Sequence, residues 1–96
     1  MAGYNKRFTY SAIGTNDVSN DFGSDDVSYA VSDNGSNSSV STVEVKIGDG
    51  WYTDDNFAIG DPMTFDGPIN GLRLVTTSMG TATAIYLDVT ARGRYG

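Results

Sequence analysis

Three observations predict an all-β fold: a small single-domain antiparallel β-sandwich or jelly-roll-like barrel of about six to eight strands, with no long helix. Gly, Ser, Thr, Asn and Asp supply 50 of the 96 residues, and these types favour turns and exposed strand faces. The straight-chain helix formers are nearly missing, with Glu44 the lone Glu and no Gln, while Val and Ile occur eight and five times. Several short stretches alternate apolar and polar residues between turn signals. Together with eleven aromatics, that alternation argues against disorder. The length implies one domain, 1–96, with a thin core, since such a chain buries only about 60–65% of its unfolded surface.

Residues 1–5 and 93–96 are expected to be mobile ends. Residues 6–12 alternate, with Phe8, Tyr10 and Ala12 on one face, and predict a half-buried strand. Residues 14–26 carry four Asp and read as a polar loop anchored by Val18 and Phe22. Residues 27–32 turn Val27, Tyr29 and Val31 inward. In residues 33–39, Asn34-Gly35 is the dipeptide that a type I′ hairpin turn prefers. Residues 40–47 are the clearest strand, with Val43, Val45 and Ile47 inward and Thr42, Glu44 and Lys46 outward. With 27–32 they read as a loosely connected hairpin.

Gly48-Asp49-Gly50 breaks that strand, and 51–56 read as an exposed loop or a short strand and turn. Phe57, Ile59, Met63 and Phe65 surround a turn at Gly60-Asp61-Pro62, and Asp66-Gly67-Pro68 is another. Residues 69–77, with Leu72 and Leu74 on one face, and 82–91, with Ile85, Leu87, Val89 and Ala91 on one face, read as a second hairpin.

The absence of Cys and His excludes disulfides, thiolate or imidazole metal sites and Ser-His triads. No Gly-rich phosphate loop occurs, and no motif implies a cofactor. The expectation is a chain that is not an enzyme, with no catalytic residue and no metal. An EF-hand loop tried from Asp33 to Glu44 fits at Asn37 and Glu44 but fails at Gly35 and Ser38. The looser groups Asp17/Asn20/Asp21, Asp25/Asp26 and Asp54/Asp55/Asn56 read as turn-forming residues. The N-terminal stretch has no apolar signal-peptide region and no apolar run approaches a membrane span, so synthesis in a cytosol without secretion by a signal peptide is expected.

Charge placement supplies the first candidate surface. Four of the six basic residues lie near the ends: Lys6, Arg7, Arg92 and Arg94. Between Phe8 and Ala91 only Lys46 and Arg73 face all twelve acids. Arg beside Tyr suits a grip on an acidic neighbour, because guanidinium stacks on rings and forks onto carboxylates. Lys6, Arg7, Arg92, Arg94 and Tyr95 are therefore candidate interface residues. The acidic body would repel a nucleic acid or an anionic membrane, so neither is an expected partner. The second candidate is a carbohydrate- or receptor-binding patch at Trp51, Tyr52, Asp54 and Asp55, where two large aromatics sit beside hydrogen-bond acceptors.

The stretch from Phe65-Asp66-Gly67-Pro68-Ile69-Asn70-Gly71-Leu72-Arg73-Leu74 through Thr76-Thr77-Ser78 and Gly80-Thr81-Ala82 to Leu87-Asp88-Val89-Thr90-Ala91-Arg92-Gly93 resembles the C-terminal hairpin of small structural proteins of tailed bacteriophages. The resemblance covers about a third of the chain. It implies a virion component such as a capsid decoration or cement protein. That component would be a homo-oligomer, a trimer for instance, bound to major capsid or other virion proteins. Unpaired strand edges and a thin core suit such assembly.

Overall fold

The described residues form eight strands: β1 (Gly3–Tyr10), β2 (Gly14–Ser19), β3 (Asp26–Asp33), β4 (Val40–Ile47), β5 (Gly50–Thr53), β6 (Met63–Asp66), β7 (Gly71–Ser78) and β8 (Ile85–Arg92). They are taken from a computed structural model that describes residues 3–19, 26–66 and 69–92. Two four-stranded antiparallel sheets result, β1-β8-β3-β6 and β2-β7-β4-β5, here called sheets A and B. No helix occurs among the described residues.

The strand order has a simple origin. β1 pairs with β8, β2 with β7, β3 with β6 and β4 with β5, as if one long antiparallel ribbon had been folded in the middle. Rolling that ribbon lays β3 against β8 and β4 against β7, which completes both sheets. This is the jelly-roll order. Each sheet turns one face inward and leaves the other outward, so alternate residues along every strand divide between core and surface.

The inward residues are those that the alternation marked in four strands. Val27, Tyr29 and Val31 of β3, Val43 and Val45 of β4, Leu72 and Leu74 of β7, and Ile85, Leu87, Val89 and Ala91 of β8 form one buried cluster. Val18 and Ile69 join it, and Phe8, Tyr10, Phe57 and Phe65 pack around it. Full burial of such side chains is worth roughly 1.5–3 kcal/mol each before entropy is subtracted. Tyr29 is the largest of them and stacks between Phe57 and Phe65, at 6.2 and 6.0 Å between centroids. Its hydroxyl leaves the core by donating to the Asp54 carboxylate.

Several expectations need correction. Residues 14–19 are a strand and not a loop: β2 lies at the edge of sheet B, where one inward aliphatic, Val18, is enough. Residues 3–5 belong to β1 and are not a loose end, because β8 provides them with a ladder. Residues 20–25, with Asn20, Asp21, Phe22 and Asp25, and the end 93–96 lie outside the described residues, as do Gly67 and Pro68. The first strand stops at Tyr10, leaving Ala12 exposed. Ile47 is 50% exposed, because the chain reverses there into β5. That reversal is a two-residue loop with Gly48 at φ 62°, as a type II′ hairpin requires.

Neither expected hairpin forms. β3 and β4 lie in different sheets, and so do β7 and β8. Their connections are arches that cross from one sheet to the other at the same end of the sandwich. A mirror-image turn does occur in 34–39, but two residues later than Asn34-Gly35. Ser36 and Asn37 have φ of 59° and 57°, and the Ser38 amide donates to the Gly35 carbonyl at 3.2 Å. Asp33 organises the arch. Its carboxylate accepts from the Gly35, Asn37 and Ser39 amides at 2.7, 2.7 and 2.9 Å and from the Ser39 hydroxyl at 2.6 Å. Burial pushes the Asp33 carboxyl up, but these donors outweigh it and hold the group below its ordinary value.

Candidate functional site

The outer face of sheet B gathers the most chemistry. Arg73, on central strand β7, has β2 on one side and β4 on the other. The register places Asp17 of β2 and Glu44 of β4 directly opposite it. The guanidinium donates to both Asp17 oxygens at 2.7 and 3.3 Å and to Glu44 at 3.2 Å. One turn of the pleat away, Gly71, Lys46 and Trp51 form the next row.

Trp51 can lean across Lys46 toward β7 because the residue beyond Lys46 in that row is a glycine. A Cβ on Gly71 would come within 3.2 Å of the indole Cη2 and 3.3 Å of the Lys46 Cβ. The Arg73 guanidinium carbon sits 4.0 Å from the indole centroid, and the Lys46 ammonium sits 5.9 Å from it. Such cation–π contacts fix the ring plane and orient the Arg fork. The Arg73 bond holds the Asp17 carboxyl below its ordinary range, against an opposing effect of burial and with help from the Arg73 and Lys46 charges.

The two basic residues between Phe8 and Ala91 thus share one face with the single Trp. Lys46 and Arg73 balance Asp17 and Glu44, so this patch is electroneutral on an acidic molecule. Beside it, Thr15, Val75 and Thr42 make an uncharged row across the three strands. No protein-family model, no curated protein and no solved structure matches the chain.

The residues expected to bind a ligand do not converge. Trp51 shares the outward face of Lys46, whereas Tyr52 stands opposite inward-facing Val45 and emerges, 56% exposed, at the sheet's edge. Asp54 serves the turn after β5. Its backbone donates to Val43 at 2.8 Å, and its carboxylate takes the Tyr29 hydroxyl and the Asn56 amide. Burial first, and then that bond to Asp54, push the Tyr29 phenol far up. Asp55 is exposed beside this turn. Adjacent strand residues point to opposite faces, so Trp51 and Tyr52 could not share a platform.

The expected interface residues divide as well. Lys6 and Arg7 both lie on β1, the edge of sheet A, but face opposite ways. Arg7 points outward and forks onto Asp88 of β8 at 2.6 and 2.9 Å, with its guanidinium carbon 4.7 Å from the Tyr86 centroid. Lys6 stands in register with inward Val89, remains exposed, and sets its ammonium 4.9 Å from the Phe8 centroid. A charge facing inward on an edge strand discourages another strand from adding there. Arg92 pairs through its backbone with Gly3 and Asp26, its side chain being outside the described residues, as are Arg94 and Tyr95 entirely.

No group of three or more acidic residues is placed to hold a metal among the described residues. The residues that the sequence reading passed over as sites are Asp17, Glu44, Lys46 and Arg73. Two signals pointed to them: the scarcity of basic residues in the interior, and an Arg between two inward leucines, which must face out.

Proposed function

We propose that the chain is a structural virion subunit of a tailed bacteriophage, a capsid decoration or cement protein that acts by contact with its own copies and with capsid neighbours. The observation that carries this reading is the electroneutral Trp51–Arg73 face. A molecule with net charge −6 repels its own copies over most of its surface. The outer face of sheet B removes that penalty and offers Trp and Arg, the side chains that dominate contact energies. Its uncharged row of Thr15, Val75 and Thr42 suits a second copy better than a small ligand. Jelly-roll domains occur in viral capsids, which agrees with the phage resemblance of residues 65–93, although fold alone assigns no function.

The face spans about four strands by three outward rows, and so falls short of the roughly 800 Å² per partner of a stable dimer. A weak pairwise contact, strengthened by many repeats on a particle, is the expected behaviour. Light scattering across a concentration series should show self-association that Thr42→Asp abolishes and Thr9→Asp, on the outer face of sheet A, leaves intact. Co-sedimentation of the wild-type chain with phage capsids tests the particle directly. A chain that stays monomeric at every concentration and never co-sediments overturns the reading. Carbohydrate binding would instead appear as a saturable change in Trp51 emission on adding sugars, but Arg73 already occupies a face of that ring.

A further inference from the structure

The arch between β3 and β4 contains Asn34-Gly35, the dipeptide most prone to spontaneous deamidation. With no side chain on the following residue, its backbone nitrogen can reach the Asn carboxamide. In this fold both partners of that reaction are tied down. The Asn34 side chain is stitched to the arch between β7 and β8. Its Oδ1 accepts from the Thr83 and Ala84 amides at 2.8 and 3.1 Å, and its Nδ2 donates to the Thr83 hydroxyl at 2.8 Å. Its backbone amide donates to the Ala84 carbonyl at 3.2 Å. The Gly35 amide, the required nucleophile, donates to Asp33 at 2.7 Å. Neither residue is free to change. A Cβ on Gly35 would meet the Ala82 backbone nitrogen at 2.5 Å, and any replacement of Asn34 loses part of the stitching.

We propose that Asn34 is a deamidation site held shut by the contact between the two arches, and that it reacts only when they part. The Gly35 nitrogen then attacks the Asn34 Cγ. The new N–Cγ bond closes a succinimide as the Cγ–Nδ2 bond breaks, and Nδ2 leaves as ammonia with the proton from Gly35. Water opens the ring to Asp or isoAsp at position 34. Either product loses the donor to Thr83 and sets a second carboxylate beside Asp33, and isoAsp also lengthens the backbone by one carbon. The lesion therefore prevents the arches from rejoining as before, and openings accumulate as a permanent record.

Peptide mapping by mass spectrometry, with isoAsp detection, tests this on the full chain incubated at neutral pH with and without urea. Asn70-Gly71, the same dipeptide elsewhere, supplies the reference rate in urea. Asn34 should react at least about tenfold more slowly in the folded chain than in urea, in proportion to the fraction of time the arches are open. Thr83→Val, which removes the acceptor of Nδ2, should speed the folded reaction while Trp51 emission shows that the sandwich persists. Should that variant unfold, Thr81→Val serves instead, since it removes a bond from the Thr81 hydroxyl to the Gly35 carbonyl in the same latch. Equal rates at Asn34 in folded and unfolded chain overturn the proposal. So does a folded Thr83→Val chain, or its Thr81→Val substitute, that deamidates no faster than wild type.

Discussion

Arg7 and Arg73 make nearly the same contacts on opposite sheets and are held very differently. Each points outward, forks onto an Asp of the next strand and lies against an aromatic ring. Arg7 sits on an edge strand, with a neighbour on one side only, and its side chain is 58% exposed. Arg73 sits on a central strand, takes a carboxylate from each side and is 26% exposed. The difference teaches that position in the sheet decides what a charge can organise. An edge cation makes an ordinary solvated pair, which is worth little. A central one gathers a face of several strands.

Removing core beneath both faces should have the largest effect and should be alike on the two sides. Leu74→Ala in sheet B and Leu87→Ala in sheet A each delete a fully buried side chain, and each should cost about 2–5 kcal/mol in urea unfolding. A much larger loss on one side would mean that the sheets already differ below their outer faces. Gly71→Val comes next. It pushes into the indole edge, so Trp51 emission should shift to the red and Tm should fall; an unchanged spectrum would show that the ring does not rest on Gly71.

Arg73→Ala should then lower Tm by several degrees, while Arg7→Ala leaves it within error. The reverse order would break the comparison. The smallest effect concerns acid. The Asp17 carboxyl is depressed in the folded chain, so its stabilising contribution is complete above the unfolded value of about 3.9 and is lost as pH falls through the folded value. Trp51 emission should stay constant from neutral pH to about 5 and change only below about 4. Asp17→Asn should remove that step. Asp33 titrates in the same direction, and its loss should appear in overall unfolding, which Asp17→Asn leaves in place.

Fold class and core were legible because period-2 alternation is strong wherever both neighbours of a strand are present. β3, β4, β7 and β8 are the four central strands, and the inward residues expected in them are buried apart from Ile47, at a strand end. β2 was illegible because an edge strand needs one anchor, and Gly14, Thr15, Asn16 and Asp17 look like a turn. The two supposed hairpins failed for another reason. A six-residue polar connection such as 34–39 serves a hairpin or an arch equally well, and the choice depends on Asn34 meeting Thr83 and Ala84, far along the chain. Likewise, Arg73 declares its outward direction between Leu72 and Leu74, but its carboxylates come from strands whose pairing no local pattern reveals.

The ribbon order also governs when the molecule can exist. β8 lies between β1 and β3, so until it is present β1 has no neighbour and β3 has only the four residues of β6. A nascent chain emerging from the ribosome must therefore carry its first strand unpaired until residue 92 is clear of the exit tunnel. Sheet A cannot assemble vectorially, segment by segment. It closes in a single late event, and the exposed β1 edge during that wait is where a chaperone, or a neighbouring nascent chain, would find it.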